Sequence, residues 1–333
     1  MSAAAGPSPR TTSWVQPRPS CQCKPASLSS TTTCPSGSAA FGDLLVDGDA
    51  LRFTAGVGAW SLTEAWANVP YAAPSGARVR AGAVDADGHL WTLVPQGLLR
   101  DGVAIAGSPT GGTCLRLTPT HAWVCAGSTL WGYEPATATW SSTTWPAQVL
   151  DVDGDPATTQ WIAGGDGLIA RRQGEVVEVG VAPTSATITS IRALSNGDLV
   201  FGGANFLAHL PGGLPLADAT VVDLPDDRCN ALWSDGVAAA AAMESGGFYR
   251  FDGAWDPVSE ATSPDTPLTA LAVLANHVVT ASSAGLLQAR DAQGWTPILP
   301  SAADSFTAVW FDGNRLTTGG VTGVTTLMQI AAP

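Results

Sequence analysis

Leu268–Pro300 reads LTALAVLANHVVTASSAGLLQARDAQGWTPILP, and it breaks into four short apolar runs: ALAVL, HVVTAS, GLLQAR and GWTPIL. The links between them are brief and rich in Asn, Ser, Gly and Asp. Short apolar runs bounded by turn formers predict four strands joined by hairpins in one antiparallel sheet.

The same order returns in Ser190–Gly213 (SIRALSNGDLVFGGANFLAHLPGG), Asn230–Val258 (NALWSDGVAAAAAMESGGFYRFDGAWDPV) and Phe306–Ile330 (FTAVWFDGNRLTTGGVTGVTTLMQI). Aligned on the residue that precedes the third strand, the markers are Gly58, Gly97, Gly127, Gly167, Asn205, Gly246, Gly285 and Gly323. Seven intervals cover 323 − 58 = 265 residues, a mean of about 38. Asp-Gly or Asn-Gly pairs, which tolerate the positive φ of tight hairpins, stand between first and second strands at Asp47-Gly48, Asp87-Gly88, Asn196-Gly197, Asp235-Gly236 and Asp312-Gly313.

Eight such units read as an all-β protein, a single β-propeller of eight four-stranded blades, with seven as the alternative count. Radial closure leaves only short protected edges, whereas an open stack of sheets would expose two long ones. The eighth unit offers three strands before Pro333, and Thr11–Pro17 (TTSWVQP) matches the fourth strands AWDPV and GWTPIL. The expectation is a propeller over residues 41–333 whose last blade is closed by a strand from residues 11–17. The rest of residues 1–40, rich in Ser, Thr, Pro and Ala, should be irregular.

Composition narrows the partners. Acidic residues number 28 and basic ones 15, a net charge of −13, and Lys24 is the one lysine. Nucleic-acid binding needs clustered Lys and Arg to displace counterions, so no nucleic-acid partner is expected. No apolar run is long enough for a transmembrane helix. The partner left by elimination is a protein or a carbohydrate, met by a monomer.

Trp233 and Trp310 sit in ALW and AVW on first strands, Trp91, Trp123 and Trp161 in HLW, HAW and TQW on second strands, and FDGAW and DAQGW close two units. Over about residues 42–330 this resembles the short tandem repeats of secreted propeller proteins and lipoproteins of myxobacteria and related bacteria. Gly127, Tyr133 and Trp140 also resemble kelch spacing, distantly. The resemblance implies a binding or scaffold module and says more about fold than function. The recurring tryptophans belong first to the core between blades.

Cys114 and Cys125 flank the hairpin CLRLTPTHAWVC, whose turn would set them opposite each other within disulfide reach. A bond there points to an oxidising, extracytoplasmic compartment, although residues 1–40 hold neither a signal-peptide core nor a lipobox. Pairing among Cys21, Cys23, Cys34 and Cys229 is not readable from spacing.

No hydrolase elbow, zinc-protease, phosphate-loop or dinucleotide fingerprint is present. His89, His121 and His277 recur at the opening of the second strand, on the rim where the first turns gather, and are candidate ligand groups. Arg116, Arg192 and Asp151 fall on innermost strands and would face the central channel, where an anionic ligand could be met. Asp151, Asp153 and Asp155 in DVDGDP resemble part of a calcium loop, which makes calcium the one ion suggested, without the later bidentate acid. No organic cofactor is implied. The leading reading is a non-catalytic propeller that recognises a protein or glycan through a loop rim. A propeller lyase or hydrolase acting at the channel mouth, and a structural module of a surface assembly, are the alternatives.

Overall fold

The computed structural model describes strands at residues 43–47 and 50–54, and then residues 78–329 with gaps at 183–184, 259–265, 275–276, 292–293, 300–304, 312–314 and 321–322. The expected closing strand at residues 11–17 lies outside the described residues. Apart from two three-residue 3-10 turns, the described elements are all strands.

Strands β1 (Asp43–Asp47) and β2 (Ala50–Thr54) form a hairpin. Blade A holds β3 (Ala81–Val84), β4 (Leu90–Val94), β5 (Gly97–Arg100) and β6 (Val103–Ala104). Blade B holds β7 (Cys114–Leu117), β8 (Ala122–Ala126), β9 (Thr129–Glu134) and β10 (Thr139–Thr144). Blade C holds β11 (Val149–Asp155), β12 (Thr159–Gly164), β13 (Leu168–Gln173) and β14 (Val176–Val181). Blades D and E share one six-stranded sheet made of β15 (Ile188–Ala193), β16 (Leu199–Leu210), β17 (Thr220–Ser234), β18 (Ala239–Met243), β19 (Phe248–Phe251) and β20 (Trp255–Pro257). They are continuous because β16 pairs with both β15 and β17, and β17 pairs with both β16 and β18. Blade F holds β21 (Leu268–Leu274), β22 (His277–Ser282), β23 (Leu287–Asp291) and β24 (Gly294–Leu299). Blade G has three strands, β25 (Phe306–Phe311), β26 (Arg315–Gly320) and β27 (Gly323–Gln329).

The first strand of each blade lies beside the first strand of the next, in the order β3, β7, β11, β15, the second half of β17, β21 and β25. β25 then returns to β3. This is the propeller arrangement, and among the described residues seven inner strands complete the circuit. An eighth blade is not seen among the described residues. Of the stretch expected to supply another blade, the described β1–β2 hairpin lies against β23 and β24 through β2.

The turn chemistry accounts for the local pattern. Gly97, Gly127, Gly167, Gly246 and Gly285 all have positive φ, as does Asn205 at +71° in the middle of β16. Asn tolerates the left-handed region better than other side-chain-bearing residues, which is why it can stand where the other blades use glycine.

A second feature repeats without a repeated residue type. Register slips by one residue near the start of five inner strands, at Leu150, Thr189, Asn230, Thr269 and Thr307. Such bulges re-aim a side chain away from its own sheet. Asn230 Nδ2 donates to the Leu268 carbonyl (2.7 Å) and Thr269 Oγ1 to the Phe306 carbonyl (2.8 Å). Thr189 Oγ1 donates to the Cys229 carbonyl and Thr307 Oγ1 to the Val79 carbonyl. Arg80, just before β3, does the same for blade B through the Gly112 carbonyl at 2.7 Å. Each clasp ties a blade to the next one round.

Side chains between the blades fill the core. Trp91, Phe201, Phe206, Phe251, Ile162 and Ile188 are fully buried, each removing surface worth about 1.5–3 kcal/mol from water. Trp123 lies on Gly132 and Trp310 on Gly82, where a Cβ would come within 2.6 Å and 2.5 Å of the ring. Tryptophans therefore pack against the places where neighbouring strands lack side chains.

Candidate functional site

The inner strands of blades B, C and D bring together the channel residues picked out by the sequence. Asp151 and Asp153 lie two apart on β11 and so share a face. Arg192 of β15 places Nη1 2.5 Å from Asp151 Oδ2. Arg116 of β7 places Nε 3.2 Å from Asp153 Oδ1 and donates to the Val152 carbonyl at 3.2 Å. Asp151 also accepts the Ser190 hydroxyl at 2.9 Å, the Ile191 N–H at 3.0 Å and the Val152 N–H at 2.9 Å. Asp153 accepts the Ala193 N–H at 2.8 Å. Ser190 Oγ in turn accepts the Leu232 N–H (3.2 Å), so the network runs through four consecutive blades.

Burial works to raise the Asp151 pKa, but the Arg192 and Arg116 charges and the Ile191 N–H overrule it and hold the carboxyl below the usual range. For Arg192 burial pulls down, and the two aspartates pull the guanidinium up past it. Arg116 comes out the other way. Burial and then the neighbouring Arg192 charge push it down, and Asp153 and Asp151 do not make up the difference. The cluster therefore sets two guanidiniums against two carboxylates, each arginine paired with one aspartate.

Asp151, Asp153 and Asp155 do not converge. Asp155 turns away to accept the Ala157 N–H at 2.8 Å and the Thr120 hydroxyl at 3.4 Å. Among the described residues no three His, Cys, Asp or Glu side chains gather as a metal would need.

The rim histidines stand on different blades, and His89 and His121 are each engaged within their own. His89 Nδ1 lies 2.6 Å from Asp101 Oδ2, joining the first turn of blade A to its last. His121 stacks on Trp123, ring centres 5.0 Å apart, and its Nδ1 meets Thr120 Oγ1 at 2.9 Å. His277 opens β22 as expected. The fourth histidine, His209, was not anticipated as a partner. Its Nε2 lies 2.9 Å from Asp198 Oδ2, repeating the His89–Asp101 strap with the two residue types exchanged. The signal in the sequence is the spacing alone, 12 residues in one case and 11 in the other.

Beside this rim, blade D carries a long connection, residues 211–219, between its third and fourth strands. It folds against blade C and leaves a cleft of about 230 Å³ lined by Trp161, Arg171, Glu178, Leu210, Leu214 and Leu216 among others. Arg171 lies over the Trp161 ring, 5.9 Å from its centre, and 3.9 Å from Glu178. Arg100 covers Trp91 in the same way at 5.1 Å. These are cross-strand pairs, Trp161↔Arg171 and Trp91↔Arg100. Next to the cleft, Val176, Val177 and Val179 of the outer strand β14 are 63%, 45% and 55% exposed.

Cys114 and Cys125 are directly opposed on β7 and β8, with Cα atoms 5.0 Å apart, and form a disulfide. Cys229 is a free, fully buried thiol, pushed up to about 12 by burial. No helix among the described residues is long and apolar enough to cross a membrane.

No known protein family and no characterised protein matches the sequence. Solved structures do match the fold. The extracellular domain of BT4673 from B. thetaiotaomicron, described as a one-component system, aligns with a TM-score of 0.62 at 16% identity over 76% of this chain. A second structure of that domain, described as a hybrid two-component system, gives 0.61 at 15% over 75%. This chain spans 38% of the length of either. U3-55K aligns with a TM-score of 0.60 at 11% identity, over 73% of this chain and 88% of its own. At such identities the likeness is one of fold.

Proposed function

We propose that this chain is a non-catalytic binding propeller working outside the cytoplasm, and that it recognises a glycan through the rim cleft between blades C and D. The cleft carries the reading. It sets an indole, a guanidinium and a carboxylate (Trp161, Arg171 and Glu178) around one space. Sugars are held by an aromatic surface together with paired donors and acceptors for their hydroxyls. The Cys114–Cys125 disulfide supports the compartment. The channel carboxylates Asp151 and Asp153 are both ion-paired to arginines, which argues against their serving as a free acid and base. The Trp-bearing strands fit membership of the secreted bacterial tandem-repeat propellers.

A protein partner is the second reading, favoured by the exposed valines of β14 beside Leu214, 47% exposed. A glycan array probed with the wild-type chain and with Trp161→Ala separates the two. Binding that disappears in Trp161→Ala supports the glycan reading. Binding indifferent to Trp161, or none across the array, moves the assignment to the valine patch.

A further inference from the structure

The guanidiniums of Arg116 and Arg192 are only half used. Each carries five N–H donors in a rigid fork. Arg116 commits Nε, shared between the Val152 carbonyl and Asp153. Neither of its Nη nitrogens has a protein hydrogen-bond partner among the described residues, and neither is sealed from solvent as an unpaired buried group. Arg192 commits Nη1 to Asp151 and the Ile191 carbonyl, and its Nε and Nη2 are likewise without protein partners and unsealed. The side chains of Arg116, Asp153, Arg192 and Asp151 are 29%, 17%, 15% and 12% exposed, so the group is reachable from solvent while largely screened from bulk water.

Counting from the bulge fixes where these donors stand. Three residues beyond it lie Asp153, Arg192, Trp233, Ala272 and Trp310 in blades C to G. At this level charge stands on the adjacent inner strands of blades C and D, the other three carry alanine or tryptophan, and Arg116 of β7 reaches Asp153 from blade B. The aspartate between the arginines grips the Nε edge of Arg116 and leaves its Nη1–Nη2 edge free, the edge that matches the two oxygens of a carboxylate.

We propose that Arg116 and Arg192 form an anion site in the central channel that takes the carboxylate of a small organic acid. The site is distinct from the rim cleft and shares no residue with it. Asp151 and Asp153 orient the two guanidiniums, and the bound carboxylate relieves the repulsion between them. Burial first, and then the Arg192 charge, lowers the Arg116 pKa. The net charge of −13 opposes any anion at long range, but exposed charges are screened beyond about 8 Å at physiological ionic strength, and the cluster itself balances two arginines against two aspartates.

Ligand-observed NMR with benzoate as probe and benzyl alcohol as its neutral counterpart tests this on the full chain. Benzoate should bind and benzyl alcohol should not. Arg116→Gln should weaken benzoate about tenfold or more, a loss of about 1.4 kcal/mol or more, and Arg116→Lys, which keeps the charge and loses the fork, should fall between. Trp161→Ala should leave benzoate binding unchanged while abolishing glycan binding, so failure of one site is distinguishable from failure of the other. No benzoate binding to the wild-type chain at about 10 mM, equal binding by Arg116→Gln, or capture of inorganic phosphate without benzoate would each overturn the proposal.

Discussion

Thr307 Oγ1 donates a hydrogen bond to the Val79 carbonyl, joining residues 228 positions apart in the chain. The same hydroxyl reaches the Gly319 carbonyl of its own blade at 3.3 Å. Together with the Val79 N–H, which donates to the Gly320 carbonyl at 2.9 Å, this clasp joins the last blade to the first, because Val79 leads into the first inner strand and Thr307 opens the last. Thr307→Val keeps the side-chain shape and removes the donor. It should cost about 1–2 kcal/mol through an unpaired buried carbonyl. Thr189→Val, at an interior junction, should cost a comparable amount in equilibrium denaturation. Unchanged midpoints for both variants would show the clasps to be incidental.

The same junction depends on a missing side chain. A Cβ on Gly82 would sit 2.5 Å from the Trp310 ring, which is itself buried between blades G and A. Gly82→Ala must push a large rigid indole, and overpacking of this kind costs about 1–3 kcal/mol. Trp310→Phe in the same chain should recover part of the loss, since the smaller ring vacates the clash. Additive losses in the double variant would mean that the two residues do not meet.

Much of this was readable beforehand, and the part that was not has a physical reason. The glycine markers found the second turn of blades A to F because φ above zero restricts residue choice, and Asn205 obeyed that restriction. Cys114 and Cys125 were found because a hairpin fixes which residues face each other. Arg116, Asp151 and Arg192 came out together because all three lie on inner strands. The clasps stayed hidden because Arg80, Thr189, Asn230, Thr269 and Thr307 deliver one geometry with three different side chains. Blade number stayed open for a related reason. A repeat count registers hairpins, whereas ring size depends on how neighbouring faces pack, and the β1–β2 hairpin lies against β23 and β24 through β2. The His209–Asp198 strap was missed because its two residues exchange the positions held by His89 and Asp101.

Asp151 makes a pH prediction with a definite sign. Its folded pKa lies below the ordinary carboxylate value of about 4, so its contribution is fully present above that value. It is lost as the pH falls from there through the lower folded value. Stability of the wild-type chain should therefore drop in the acid range. Asp151→Asn should flatten that limb, and at neutral pH it should cost about 3–5 kcal/mol by leaving Arg192 charged and unpaired. An acid limb of unaltered steepness in Asp151→Asn would assign the pH dependence to other carboxylates, Asp85, Asp198 and Asp235 also being depressed.

The described cysteines divide sharply in their chemistry. Cys229 is fully buried with its pKa raised to about 12, so it remains a neutral thiol near pH 8 and cannot present the reactive thiolate. Folding thus favours the protonated form. That part of the stability is complete below the ordinary thiol value and declines as pH rises towards the folded one. Alkylation of the native chain at pH 8 followed by peptide mapping should leave Cys229 unmodified until denaturant is added. Cys114 and Cys125 should stay unmodified even in denaturant until a reductant is present. Breaking their bond, which closes a loop of sequence separation 11, should cost about 2–3 kcal/mol. Labelling of Cys114 and Cys125 in unreduced, denatured protein would remove the disulfide, and with it the main support for an extracytoplasmic location.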